Sequence, residues 1–255
     1  MPFKPFNEDF SLKNKCAIVT GASSGIGYEI VKMYARKGAD IVAFDINPQS
    51  EQQEYVTGLG RKYIYYKGDV TKTEDLKGVV DTACSEFGKI DILVNCAGVG
   101  LTDKAEDLSE QMWDTTMAVN LKGSVRMAQF VGRSMIKNGG GKIINIGSQA
   151  GVVALDKHLA YGAAKAAVIY ATKQFAMEWA KYNINVNAIS PTIILTPMGE
   201  KTWNNSAGEA FKKKIPAGRF GYPQEVAACA VFLASDAASL INGANLVIDG
   251  GFTIC

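Results

Sequence analysis

The sequence predicts a protein of the α/β class, a single domain built on a doubly wound, seven-stranded parallel sheet with helices on both faces. Runs of five or six apolar residues alternate with helical patterns along the chain, which is typical of repeated βαβ units. The 255 residues are 47% apolar and 20% charged, an ordinary globular composition, and no linker divides them. We therefore expect one domain that spans residues 1–255.

The predicted strands are seven short apolar runs, rich in valine, isoleucine and aromatic residues. They cover residues 16–20, 40–45, 63–67, 91–95, 142–146, 184–189 and 245–249. Helical patterns cover residues 25–37, 72–87, 109–136, 159–181 and 223–234. Because helices separate most consecutive strands, we expect the strands to run parallel and to be buried on both faces.

One long segment, residues 192–222, departs from this alternation. It carries Pro197, Trp203 and a run of three lysines between a strand and a helix. Insertions of this length are usually functional. This one leaves the carboxyl end of its strand, where open α/β sheets bind ligands. The segment is therefore predicted to be a lid over a substrate.

The helix over residues 159–181 is apolar on almost every side, although a helix that covers a sheet needs only one apolar stripe. This surplus predicts burial against another subunit, shared with the region from Met112 to Met135, and hence a homo-oligomer. The alternative is that other parts of the same chain cover the extra apolar residues.

The net charge and the composition of the chain exclude several classes of partner. The formal net charge of +2 gives no electrostatic reason to expect a nucleic acid or an anionic membrane, and no apolar run is long enough to predict a transmembrane helix. The N-terminal residues lack the apolar core of a secretory signal. Five widely spaced cysteines without a CxxC pair argue against a disulfide framework and a metal site, and favour a reducing, cytoplasmic location.

A glycine-rich turn, residues 20–27 with the sequence TGASSGIG, joins the first strand to the first helix. Glycines there let the backbone turn sharply and let a pyrophosphate approach the helix N-terminus, where unpaired N–H groups and the helix dipole favour anions. A strand, this turn and a helix near the start of the chain predict a dinucleotide-binding Rossmann fold.

The choice of cofactor is predicted from the end of the second strand. Asp45 lies 24 residues after Gly21, where a carboxylate can accept hydrogen bonds from the adenosine ribose and would repel a 2′-phosphate. Neither Ser24 nor the residues just after Asp45 supply an arginine or lysine for that phosphate, so NAD is expected rather than NADP. Asp69 and Val70 are candidates for the adenine edge, although an aspartate in such a place is often a helix cap.

Tyr161 and Lys165 stand four residues apart at the start of a long helix, so their side chains share one face. A free phenol ionises near pH 10 and is a poor base at neutral pH. A neighbouring ammonium group stabilises the phenolate and makes proton transfer feasible near neutrality. Because this pair alone is a common pattern, its meaning depends on the motifs around it.

Those motifs resemble the short-chain dehydrogenase/reductase family, in its compact form, over nearly the whole chain from Thr20 to Gly251. The matching segments are TGxxxGIG at 20–27, NNAG at 95–98 and PGxxxT at 191–196. The matching single residues are Asn120 in MAVNLKG, Ser148 in INIGSQAG and, thirteen residues later, Tyr161 in YGAAK. Two residues depart from the family pattern: Cys96 replaces the second asparagine of NNAG, and Thr192 replaces the glycine of PGxxxT.

The resemblance implies a hydride-transfer reaction. Tyr161 would take the proton of the substrate hydroxyl while a hydride leaves for the nicotinamide, and Lys165 would stabilise the phenolate and bind the nicotinamide ribose. Ser148 would hydrogen-bond the substrate oxygen, and Asn120 would hold a water that links Lys165 to solvent. The implied cofactor contacts are Gly21, Ser24, Ile26, Asp45, Asp69, Val70, Asn95, Ala97, Gly98, Tyr161, Lys165, Pro191, Ile193 and Thr196.

The substrate class rests on three further residues. Gln149, His158 and Trp203 resemble pocket residues of the family branch that contains L-xylulose reductase and sugar-alcohol dehydrogenases. Polar glutamine and histidine beside a tryptophan suit a substrate with several hydroxyls. The implied substrate residues are Ser148, Gln149, His158, Tyr161 and Trp203. His158 as a surface residue and Trp203 as lid packing are the alternatives.

The predicted function is therefore NAD-dependent hydride transfer between nicotinamide and a small polyol or vicinal diol. The L-xylulose reductase of the resembling branch uses NADP, whereas Asp45 favours NAD here, so the catabolic, oxidative direction is suggested. Two alternatives stay open: reduction of another carbonyl substrate such as a 3-oxoacyl group, and a catalytically silent nucleotide sensor. The resemblance also implies a homotetramer.

Overall fold

The computed structural model describes residues 6, 8–48, 50–196, 199 and 203–255. Its sheet has seven parallel strands in the order β3-β2-β1-β4-β5-β6-β7, so the predicted class and the doubly wound fold are confirmed. The strands are β1 (Cys16–Thr20), β2 (Asp40–Asp45), β3 (Tyr63–Lys67), β4 (Ile92–Asn95), β5 (Gly141–Ile146), β6 (Ile184–Pro191) and β7 (Asn245–Ile248). The strand order reverses between β1 and β4, which is where such sheets bind ligands at their carboxyl edge.

Helices cover both faces of the sheet. They are α1 (Gly25–Arg36), α2 (Ser50–Gly58), α3 (Thr73–Phe87), α4 (Glu110–Thr116), α5 (Ser124–Asn138), α6 (Leu159–Trp179), α7 (Ser206–Lys212) and α8 (Pro223–Ala234). Side chains of β1 alternate between two cores, with Val19 facing α1 and α8 and Ile18 facing α3 and α5. In the described part of the chain, no helix combines the length and the hydropathy needed to cross a membrane.

The region predicted as one helix over 109–136 is interrupted. A π-helix from Met117 to Gly123 separates α4 from α5. Gly123 lies against Val70, because a Cβ on this glycine would stand 3.0 Å from the Val70 Cγ2. A π segment adds a residue to the helical turn and re-aims its side chains, and such segments are common at functional sites.

Two short helices were not predicted from the sequence. The helix α2 (Ser50–Gly58) is largely polar and has no clear apolar stripe. The helix α7 lies inside the predicted lid, where Asn205 caps it by accepting a hydrogen bond from the Gly208 N–H (3.0 Å). Both are local structures within segments that we interpreted as connections.

The apolar surplus of α6 is divided between the chain's interior and its surface. Trp179 stacks on Phe175 with ring centres 4.4 Å apart and lies on Gly132 of α5, where a Cβ would stand 2.6 Å from the indole. Tyr170 and Met177 are 67% and 70% exposed. Leu159, at the start of the helix, is 51% exposed. Packing within the chain therefore accounts for one part of the surplus and leaves these three large apolar side chains on the surface.

Candidate active site

The glycine turn lies against the loop that follows β4. Gly21 has a φ of +64°, and a Cβ there would stand 2.7 Å from the Ala97 Cα. A Cβ on Gly27 would stand 2.1 Å from the Gly21 carbonyl oxygen. Ser24, the exposed N-cap of α1, makes no capping hydrogen bond with its hydroxyl. The turn is therefore a closely packed backbone cradle at a helix N-terminus, which fits a dinucleotide pyrophosphate.

Asp45 is tied to this turn from the end of β2. One carboxylate oxygen accepts a hydrogen bond from the Ser23 N–H and the other from the Asn47 N–H, both at 3.0 Å. The next side chain, Ile46, is 56% exposed and carries no charge. A carboxylate has about four lone-pair sites, so two remain for ribose hydroxyls. The geometry thus places an oriented anion beside the turn.

The loop after β4 is held on one side by Thr20, at the end of β1. The Thr20 hydroxyl oxygen accepts hydrogen bonds from the N–H groups of Cys96 (3.0 Å) and Ala97 (3.1 Å). Burial raises the pKa of the Cys96 thiol to about 12, so the cysteine in the family's asparagine position is an unreactive thiol at neutral pH. Thr20 was not among the residues predicted for the site, although it opens the TGxxxGIG motif.

Asn120 clamps the same loop from the π-helix. Its Oδ1 accepts a hydrogen bond from the Val99 N–H (2.8 Å), and its Nδ2 donates one to the Val99 carbonyl (2.9 Å). Gly98 lies beside this amide, because a Cβ there would stand 3.1 Å from the Asn120 Oδ1 and 3.8 Å from the Lys165 Nζ. Asn120 and Lys165 therefore both lie close to Gly98, and the amide of Asn120 supports the loop.

Asn95 lies beneath the site, in the interior of the fold. Its side chain is 2% exposed, and its Nδ2 donates to the Ser124 carbonyl (3.2 Å) and to the Asn145 Oδ1 (2.8 Å). Asn145 in turn donates to the Thr172 hydroxyl (2.9 Å). This chain of amides joins β4 and β5 to α5 and α6. A cofactor contact by Asn95 would therefore involve its backbone.

Asp69 and Val70 are engaged with the protein. The Asp69 carboxylate accepts hydrogen bonds from the N–H and the hydroxyl of Thr71, both at 2.8 Å. The Asp69 N–H donates to the Asp75 carboxylate (2.8 Å). Val70 packs on Gly123 of the π-helix. The carboxylate of Asp69 thus orders the turn that leads into α3, and Val70 offers a half-buried apolar surface.

Tyr161 and Lys165 come together at the start of α6 as the sequence predicts. The Lys165 Nζ lies 5.7 Å from the centre of the Tyr161 ring and donates a hydrogen bond to the Ile146 carbonyl (2.8 Å). Lys165 is 5% exposed, and it forms no ion pair with any carboxylate of the described residues. A buried ammonium group without a protein counter-ion is available to a ligand's oxygen atoms and to a phenolate.

The turn that carries Ser148, residues 147–151, packs on α6 through two close glycine contacts. Ser148 follows β5, and its hydroxyl oxygen accepts a hydrogen bond from the Ala150 N–H (3.1 Å), which leaves its proton for donation. A Cβ on Gly162 would stand 2.8 Å from the Ala150 carbonyl oxygen, and one on Gly151 would stand 2.7 Å from the Lys165 carbonyl carbon. These glycines let the Ser148 turn pack directly on the first turns of α6.

His158 and Gln149 flank the tyrosine and the serine. The His158 Nδ1 lies 2.5 Å from the Asp156 carbonyl oxygen. Because a carbonyl only accepts, we assign the ring hydrogen to Nδ1, so that the neutral ring has an acceptor at Nε2. The His158 ring meets Tyr161 edge to face with centres 5.9 Å apart. Gln149 is 2% exposed, and its Oε1 is buried without a partner among the described residues.

The segment after β6 contacts the glycine turn. A Cβ on Gly25 would stand 3.0 Å from the Thr196 methyl carbon, and the Thr196 hydroxyl oxygen accepts a hydrogen bond from the Gly199 N–H (3.0 Å). The Ile193 carbonyl accepts from the Gly221 N–H (3.0 Å). Thr192, where the family pattern has glycine, has a buried hydroxyl without a partner in the described ranges.

The predicted lid is partly described, since Pro197 and residues 198 and 200–202 lie outside the described residues. Trp203 packs against Phe211 and Phe220, with ring centres 5.3 and 6.0 Å away, and Phe211 stacks on Phe252. The lid's far end is fixed by Arg219, whose guanidinium holds the pKa of Glu225 at about 2. Trp203 therefore belongs to an aromatic cluster that anchors the lid to the C-terminal segment.

A dinucleotide cradle at the switch point, with a tyrosine, a lysine and a serine beside it, defines a dinucleotide-dependent oxidoreductase. The chain belongs to the short-chain dehydrogenase/reductase family, as the sequence predicts: a model of that family, described as enoyl-(acyl carrier protein) reductase, matches residues 21–253.

Three known proteins illustrate the similarity. The chain is 56% identical over 254 residues to an NAD-dependent glycerol dehydrogenase of Listeria innocua, with 100% of both chains covered. It is 51% identical over 249 residues to a D-threitol dehydrogenase of Mycolicibacterium smegmatis, covering 96% of this chain and 95% of that one. A solved structure of a 7α-hydroxysteroid dehydrogenase complexed with NADH superposes with a TM-score of 0.91 at 35% identity. The match covers 97% of this chain and 98% of that one.

Proposed function

We propose that this protein oxidises a small polyol or vicinal diol with NAD, and reduces the corresponding ketose or hydroxyketone in the reverse direction. The observation that carries the proposal is the placement of Lys165, buried and without a protein counter-ion, beside Tyr161, with the Ser148 turn packed on the same helix. The similarity to a glycerol and a threitol dehydrogenase supports polyols, because both of those substrates carry adjacent hydroxyl groups.

The dinucleotide would lie across the carboxyl edge of the sheet and supply the hydride acceptor when bound. We assign the pyrophosphate to the N–H groups around Ser24 and Ile26, and the adenosine ribose to Asp45. Half-buried Ala97 and exposed Gly98 would line the bound cofactor. Gly21 and Asn95 would contact it through their backbones. Asp69 and Val70 would lie near the adenine, and Pro191 would also line the cofactor. In the described chain the Ile193 N–H has no acceptor. We therefore assign this N–H and the Thr196 hydroxyl to the carboxamide group of the nicotinamide.

The protein's own residues handle the proton. Tyr161 takes the proton from the substrate hydroxyl, and Ser148 donates its hydrogen bond to the same oxygen. Lys165 stabilises the phenolate and binds the nicotinamide ribose. Because Val99 engages both ends of the Asn120 amide, a water leading from Lys165 to solvent would use the remaining amide hydrogen of Asn120 or its backbone.

The remaining substrate hydroxyls face the residues around Tyr161. With its hydrogen on Nδ1, His158 accepts a hydrogen bond at Nε2, which selects a hydroxyl donor. Gln149 would use its unpaired Oε1 in the same way after a small opening, since it is almost fully buried. Trp203 would form an apolar wall from the lid, residues 192–222.

The first test is a substrate and cofactor screen by absorbance at the NADH band. We expect oxidation of glycerol, threitol or related diols with NAD, and a kcat/KM for NAD at least about 100-fold above that for NADP, which corresponds to about 2.7 kcal/mol. The double variant Asp45→Ser with Ile46→Arg removes the anion and supplies a guanidinium for the 2′-phosphate, so its preference should shift toward NADP.

The alternatives give different outcomes in the same screen. Turnover only with 3-oxoacyl substrates would replace the polyol proposal, and NADH binding without turnover of any alcohol or ketone would indicate a nucleotide sensor. A wild-type preference for NADP would contradict the role of Asp45. The thermal stability of the double variant is measured alongside, because the substitution also removes the hydrogen bonds that anchor the Ser23 and Asn47 backbones. A shift in preference counts only if the variant remains folded at the assay temperature.

We also propose a cytoplasmic homotetramer. The exposed Tyr170 and Met177 on α6 support burial against another copy, and the five free cysteines suit a reducing compartment. Sedimentation of the wild type should return about four times the 27.3 kDa chain mass. Tyr170→Glu with Met177→Glu should dissociate the assembly, because two charges would enter an apolar contact. A monomeric wild type would refute the assembly.

A further inference from the structure

A cavity lies at the opposite edge of the sheet from the proposed active site. It occupies about 360 Å³ where the N-terminal arm crosses the end of α1 and the loop into β2. Its lining residues are Asp9, Ser11, Lys13, Ala35, Arg36, Lys37, Gly38, Leu59 and Arg61. Four of them are cationic and one is acidic, although the chain as a whole has a formal charge of only +2. This is a local concentration of positive charge in a concave site.

Three of the four cations are held by neutral groups. The Lys37 Nζ donates to the Asp9 backbone carbonyl (2.7 Å), and an Arg61 Nη donates to the Gly38 carbonyl (3.3 Å). An Arg36 Nη donates to the Tyr55 hydroxyl (3.1 Å). Within the described ranges none of the four, Lys13 included, forms a salt bridge with a carboxylate. No carboxylate of the described residues therefore neutralises these charges through a salt bridge.

Gly38 allows this arrangement. It has a φ of +96°, and a Cβ there would stand 3.1 Å from the Lys13 Cα. The arm is tied down beside it, because the Leu12 N–H donates to the Lys37 carbonyl (2.8 Å). Like charges gathered within about a Debye length repel one another, and an anion in the cavity would relieve that repulsion. The unused N–H groups of Arg61 and Arg36 suit the paired oxygens of a phosphate.

We propose that this cavity binds a small phosphate-bearing molecule, at a site separate from the dinucleotide. The helix α1 has twelve residues, so its C-terminal end lies about 18 Å from the glycine turn at its N-terminal end. A dinucleotide at the glycine turn and a phosphate at this cavity therefore occupy opposite ends of the same helix. Both sites can be filled at once.

The test is calorimetric titration of inorganic pyrophosphate into the full-length protein, saturated with NADH, in low-salt buffer. We expect one site per chain with a dissociation constant below about 1 mM. Lys13→Gln with Arg61→Gln should weaken binding at least tenfold, about 1.4 kcal/mol. The matched control, Lys77→Gln with Lys137→Gln, removes the same charge from exposed positions on α3 and α5 and should change binding less than twofold.

Three results would overturn the proposal. They are no heat of binding up to about 10 mM pyrophosphate, equal weakening in both double variants, and loss of binding when NADH saturates the protein. Equal weakening would mean a diffuse attraction to positive charge, and competition with NADH would mean binding at the glycine turn. Should the first double variant fail to fold, Arg36→Gln replaces it, because that side chain is exposed.

Discussion

Tyr161→Phe is expected to lower kcat for polyol oxidation at least about a thousandfold, because only the group that accepts the substrate proton is removed. The ring would remain, with its contacts to His158 (5.9 Å) and to the Lys165 Nζ (5.7 Å). The dissociation constant for NADH, measured by fluorescence titration, should therefore stay within about threefold of the wild type. Single-turnover measurement of hydride transfer separates the chemical step from product release.

The chain offers a matched control for this variant. Tyr182 lies just beyond α6 and also has an ammonium group nearby, since the Lys181 Nζ is 5.1 Å from the centre of its ring. Tyr182→Phe should leave kcat and NADH binding unchanged, because this second tyrosine–lysine pair lies outside the proposed site. Retention of more than a tenth of wild-type turnover by Tyr161→Phe would remove Tyr161 from the acid/base role.

The fold and the dinucleotide cradle could be predicted because their determinants are local in sequence. The run CAIVT is short, apolar and followed within a few residues by glycines and a helical pattern, so β1, the turn and α1 all follow from one segment of the chain. The position of Asp45 at the end of β2 follows from the same periodicity. Tyr161 and Lys165 share a face because they lie one helical turn apart.

Contacts between distant segments could not be predicted in this way. The MAVNLKG motif does not predict that the amide of Asn120 hydrogen-bonds Val99, 21 residues earlier. The motif at 95–98 likewise does not predict that the side chain of Asn95 hydrogen-bonds Asn145 in the interior. In both cases a polar residue in a recognisable motif indicates importance, but only the assembled fold decides which groups it bonds.

The cavity behind Gly38 shows the same limit. Lys13, Lys37 and Arg61 occupy three separate segments, and none belongs to a recognisable motif. Their association depends on the crossing of the N-terminal arm over the end of α1. Sequence patterns report periodicity and short motifs, and a site assembled from single cations in different loops has neither.

Lys165→Met is expected to lower activity strongly while leaving stability nearly unchanged. Loss of the ammonium group removes the stabilisation of the phenolate and one ligand of the nicotinamide ribose, so we expect kcat/KM to fall at least about a thousandfold and the KM for NAD to rise. The free energy of unfolding of the apo protein should stay within about 1 kcal/mol of wild type or increase. Burying a charge without a counter-ion is costly, and this gain offsets the hydrogen bond lost at Ile146.

Lys142→Met is the matched control, because it removes a second lysine with a largely buried side chain at the other edge of the sheet, where burial lowers the pKa of Lys142 to about 8. Its Nζ donates to Asn185 (2.7 Å), away from the proposed site, so this variant should keep wild-type turnover. Urea denaturation and steady-state kinetics on both variants make the comparison. A Lys165→Met protein that unfolds several kcal/mol more easily would mean that Lys165 serves the fold, and the loss of activity would then say nothing about the phenolate.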